Sequence, residues 1–117
     1  MLDPFPYPVI DISSQNELKR LLSLQNEKRI TIISPPYAGH AFGLPWWQTL
    51  IKDCPFPTIL DCGASAALAL AALEDGIHGV ICRDFYSLKP SQYSYQLLTK
   101  RPDTLSLKDY IKQLSSS

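Results

Sequence analysis

The sequence carries no excess charge: 11 Lys and Arg balance 11 Asp and Glu. Nothing in that balance argues for the basic stripe that neutralises phosphates, so nucleic acid is not an expected partner. It also leaves no long-range self-repulsion to oppose association of copies. Long hydrophobic runs are missing. The longest extends from Ala64 to Leu73 and stops at Glu74 and Asp75, well short of the roughly 20 residues of a membrane span, so no membrane partner is expected. The start, Met1 to Ile10, has no basic segment and holds Pro4, Pro6 and Pro8; it does not read as an export signal. Cysteine is sparse and odd in number. Cys54, Cys62 and Cys82 cannot all pair, which implies a reduced, cytoplasmic chain. Gaps of 7 and 19 residues between them fit no zinc pattern, and His78 adds none, so no metal site is expected. Two further motifs are absent. Gly39 to Gly43 lacks the Lys and hydroxyl of a phosphate loop. Gly63-Ala64-Ser65-Ala66-Ala67 lacks the second glycine of a nucleophile elbow.

What is there suffices for a core. The chain has 117 residues and 45% hydrophobic composition, the size of one ordinary domain, here taken as 1–117. Residues 1–8 form an extended, proline-punctuated lead-in, and 115–117 a frayed tail. Val9 to Ile12 reads as a strand. Ser14 and Glu17 form a capping box that opens a helix to about Asn26. Ile30 to Ser34 is β-branched and apolar on both faces, as in a central parallel strand. The segment Ser34 to Gly43, with two prolines and two glycines, reads as a long loop. A helix follows from about Leu44 to Asp53, then a strand from Thr58 to Cys62. Ala64 to Glu74 reads as a helix apolar on nearly every face. A fourth strand spans Gly79 to Cys82, Tyr93 to Thr99 reads as an edge strand, and Leu105 to Leu114 as a final helix. Alternation of this kind predicts a small three-layer α/β domain. Its sheet is mainly parallel with four or five strands and has helices on both faces.

In such sheets ligands bind beyond the carboxyl ends of the strands. The first strand supplies Asp11, Ser13 and Ser14 there. The remaining candidates are Ser34, Tyr37, His40, Asp61, Cys62, Gly63, Ser65, Arg83 and Asp84. His40 is the candidate base and Cys62 the candidate nucleophile, since a thiol at a strand end before a helix has its pKa lowered by the helix dipole. Free amides after Gly63 offer a place for a small anion.

The segment Ile59 to Asp84 resembles the first β-α-β unit of Rossmann folds. In particular it resembles motif I of S-adenosylmethionine-dependent methyltransferases, through Thr58-Ile59-Leu60, Asp61, Gly63 and Asp84. The resemblance implies a nucleotide-containing cofactor, with backbone approaching it at Gly63 and Asp84 on the ribose. It covers about a quarter of the chain. Ser65 stands where the second glycine would be, Arg83 adjoins the acid, and 33 residues follow Asp84. The same stretch is also similar to one β/α repeat of a TIM barrel.

Two features favour binding over catalysis. The helix over 64–74 is too apolar for a solvent-facing side, and Trp46 and Trp47 point about 100° apart on a helix, so one can face the sheet while the other is either an exposed shelf beside Phe42 and Leu44 or half buried by neighbouring loops. The expectation is a non-enzymatic binding or self-associating domain. Its homo-oligomer contact would use helix 64–74 or the Trp46/Trp47 region. The alternative is a small enzyme, or a nucleotide- or anion-binding protein, using the carboxyl edge, with no particular cofactor specified.

Overall fold

The computed structural model describes residues 5–24, 29–84 and 96–116. Four short apolar segments pair side by side: β1 (Val9–Asp11), β2 (Thr31–Ile33), β3 (Thr58–Asp61) and β4 (Gly79–Ile81). Ile10 lies beside Ile32, Ile33 beside Ile59, and Leu60 beside Val80. Every pair is parallel, as strands buried on both faces favour. Two edge strands complete the sheet: β5 (Leu97–Leu98) beside β4, and β6 (Leu105–Ser106) beside β1. The order is β5-β4-β3-β2-β1-β6. The fold is thus α/β with an all-parallel sheet, six-stranded where four or five strands were expected.

The helices are α1 (Gln15–Leu24), α2 (Ala38–Phe42), α3 (Leu44–Leu50), α4 (Ala66–Glu74) and α5 (Leu107–Ser116). Among the described residues none is long and apolar enough to cross a membrane. α1 starts on Ser14 as expected, with the Glu17 carboxylate reaching one residue further back than in a capping box. The Glu17 amide donates to Ser14 Oγ at 3.1 Å, and the Glu17 carboxylate reaches back to the Ser13 amide at 2.8 Å. Ser65 caps α4, accepting from the Leu68 amide at 3.2 Å.

Strand alternation sorts the core into two clusters. Ile10, Ile32, Leu60, Cys62, Val80 and Cys82 point to the side where α1, α3, α4 and α5 bury their apolar residues. Val9, Ile33, Ile59, Ile81 and Leu98 point the other way, onto Phe5. Among the described residues α1, α3, α4 and α5 thus pack on one face, where helices on both were expected. The topology accounts for this. From β1 to β4 the chain steps repeatedly to the neighbouring strand in one direction, so right-handed crossovers stack their helices on one face. The step from β5 to β6 runs back across the whole sheet. It lies over the opposite face, where extended chain rather than helix forms the third layer among the described residues. Phe5 belongs to that layer. A Cβ at Gly79 would stand 2.3 Å from its ring, so β4 needs a glycine there.

Three segments differ from expectation. Ala38 to Phe42, read as loop because of its flanking prolines and glycines, is helical. Gly39 lets α2 approach β3, since a Cβ there would sit 2.7 Å from the Asp61 carbonyl oxygen. Leu105 and Ser106, read as the start of the last helix, pair instead with Ile10 and Asp11. Of the expected strand Tyr93 to Thr99, only Leu97–Leu98 is strand, and 93–95 lie outside the described residues.

Candidate functional site at the carboxyl edge

Asp61 ends β3 in the middle of the sheet, with no exposed surface. A carboxylate there must be paired, because an unpaired buried charge is costly. Arg83, two residues past β4 on the same face, donates Nη1 to Oδ1 at 2.7 Å and Nη2 to Oδ2 at 3.2 Å. The Gly63 amide donates to Oδ1 at 3.0 Å. Arg101, from the β5–β6 connection, donates Nη1 to Asp61 Oδ2 at 3.1 Å and Nη2 to Asp11 Oδ2 at 3.2 Å. Two carboxylates and two guanidiniums therefore close a neutral cluster over the ends of β1, β3 and β4. The geometry is the fork-to-carboxylate pairing at which Arg excels.

The electrostatics follow from these contacts. Burial alone pushes the Asp61 carboxyl up. The hydrogen bonds from Arg83 and Gly63 and the charges of Arg83 and Arg101 outweigh it and hold the pKa below the ordinary value. The hydrogen bond to Asp61, with its charge, pushes Arg83 above its already high value against burial. For Asp11 burial wins; with help from the Glu17 charge it raises the pKa despite Arg101. An ionised, fully bonded Asp61 is a poor base, because accepting a proton would sacrifice the bonds that hold it.

Around this cluster stand the other candidates. Ser34 Oγ accepts from the Asp61 amide at 2.9 Å. Tyr37 holds a left-handed backbone, φ 60°, and places its ring 4.3 Å from the Arg83 guanidinium carbon in a cation–π contact. Gly63, φ 63°, packs under that ring; a Cβ there would be 3.0 Å from Tyr37 Cδ1 and 3.6 Å from His40 Cβ. His40 is exposed on α2. Ser65 Oγ is engaged as the α4 cap, and the Gly63 amide by Asp61. Asp84 follows Arg83, its backbone carbonyl accepting from the Cys82 thiol at 3.6 Å.

Cys62 is not brought to His40. Alternation turns its side chain away from Asp61 into the helix-side core, where the thiol donates to the Leu60 carbonyl at 3.6 Å. Burial, then the nearby Cys82 and Asp61, push its pKa up to about 12. The dipole of α4 does not make a thiolate of it. The residue absent from the expected set is Arg101, which lies between the expected edge strand and the last helix. Asp11 had been placed on the edge without a role; Arg101 supplies one.

The carboxyl edge also carries aromatic surface. Phe42 is 64% exposed and stacks on the half-buried Trp46 with centroids 5.1 Å apart. Trp47 is fully buried and Trp46 packs half-buried against the core, so neither tryptophan of the pair stands exposed. No family model, curated protein or solved structure matches the chain.

Proposed function

We propose that the protein is a non-enzymatic binding domain that acts by self-association. The observation that carries this reading is the outer face of α4. Ala67, Leu70 and Ala71 are exposed, with Leu70 at 40%, on a helix whose only charged residue is the terminal Glu74. Contiguous exposed apolar surface of this kind marks interaction sites. The exposed Phe42 beside Trp46 adds a second apolar patch.

The alternative, a small enzyme or nucleotide- or anion-binding protein at the carboxyl edge, has less support. Its acid is locked between two guanidiniums, its thiol is turned into the core, and two of its anion-facing groups are already bonded. A cytoplasmic setting accords with three free thiols, two of them buried.

Sedimentation velocity of the whole chain over a concentration range on the order of 1–100 μM tests the reading. The expected result is a mass that rises above that of one chain with concentration. A single-chain mass across the range would overturn it.

A further inference from the structure

The surface that the α4 stripe fits is present on the same molecule. Ala67, Leu70, Ala71 and Glu74 recur at intervals of three and four, so they form one stripe. It is about 10 Å long at 1.5 Å per residue. Its carboxyl end is acidic, with Glu74 followed by Asp75, which accepts from Gln48 Nε2. No basic residue lies on α4.

At the opposite flank of the helical layer, α1 and α5 enclose a groove of about 530 Å³. α5 packs on β6 and β1, whereas α4 packs on β4, so the two surfaces lie over different strands of the sheet. Leu107 and Ile111 supply the apolar lining, and Arg20, Lys108 and Lys112 the cationic part. Glu17, the one acid lining the groove, has its carboxylate engaged by the Ser13 amide. Among the described residues no ion pair engages Arg20, Lys108 or Glu74.

We propose that the protein assembles head to tail, with α4 of one copy seated in the α1–α5 groove of the next. Leu70 covers Leu107 and Ile111, and Glu74 meets Arg20 and Lys108. This rests on the self-association reading above and names the two surfaces it uses. Apolar burial supplies the affinity; the rim charges set orientation and register. A two-fold contact of α4 with α4 would instead place Glu74 against alanines with no cation to meet it. Because each copy carries one stripe and one groove, the contact is heterologous and repeats into a ring or an open row.

The test uses two variants of the full chain that each block one surface at exposed positions. Leu70→Glu removes the stripe; Arg20→Glu with Lys108→Glu reverses the rim. Sedimentation velocity of each alone is expected to show association at least tenfold weaker than wild type, about 1.4 kcal/mol. Mixed one to one, they are expected to give a discrete two-chain species, since each retains the surface the other needs. If the rim variant associates as wild type does, the contact is elsewhere and the inference fails while self-association stands. A mixture that stays at single-chain mass overturns it equally. Wild type at single-chain mass removes the underlying reading, and this with it.

Discussion

At the scale of single residues, Asp61 and Asp11 sit in one cluster with opposite signs of pH linkage. The Asp61 pKa is depressed on folding. Its stabilisation is therefore fully present above its unfolded value, near 3.8, and is lost as pH falls through the folded value. The Asp11 pKa is raised. Its contribution is present at low pH and lost as pH rises through the folded value. Asp61→Asn is expected to destabilise by roughly 2–4 kcal/mol at pH 7. Removing one member of a buried pair leaves its cations uncompensated, and some exposure of the two guanidiniums moderates the cost. The acid limb of stability should also become shallower. Asp11→Asn is expected to change stability by less than about 1 kcal/mol, as for partly exposed pairs. Urea unfolding between about pH 3 and 8 checks both. Cys62 gives a third residue-scale expectation. With its pKa raised to about 12 and its side chain buried, it should label with a thiol reagent only after the chain unfolds. Prompt labelling of Cys62 in the native protein would contradict that placement.

At the scale of elements, the β5–β6 connection matters most. It reverses the direction of strand addition, and Arg101 ties it to both β1 and β3. Arg101→Met is expected to cost about 2 kcal/mol, as a charged hydrogen bond to a buried partner is lost. Amide exchange should rise selectively over 97–106, where β5 and β6 each pair through only two residues. Uniform exchange across the sheet would show that the tie holds nothing local. This connection was also the least legible part of the sequence. β1 to β4 stood out because apolar runs such as Thr58 to Asp61 are buried on both faces, and α1 because Ser14 and Glu17 mark its start. Two-residue strands leave no periodic signal, so Leu105 merged with the helix that follows. α2 was hidden because Gly39 signals a bend, while its actual use is close approach to β3. Asp61 and Arg83 were legible as strand ends, which topology brings to one edge. Arg101 was not, since it lies 40 residues beyond Asp61 in a stretch without pattern.

At the scale of the whole molecule, the charges are balanced but the surface is not uniform. Among the described residues the helical layer carries an apolar, acid-tipped stripe on α4 and a cation-lined groove between α1 and α5. The carboxyl edge is closed by its own ion pairs. The proposed binding surface is the helical layer, with α4 covered by another copy. Hydrogen exchange followed by mass spectrometry at two concentrations, on the order of 1 and 100 μM, tests this most directly. Peptides over 66–74 and 107–112 are expected to exchange more slowly at the higher concentration, while β2 and β3 are unchanged. Exchange in α4 that is the same at both concentrations would contradict it.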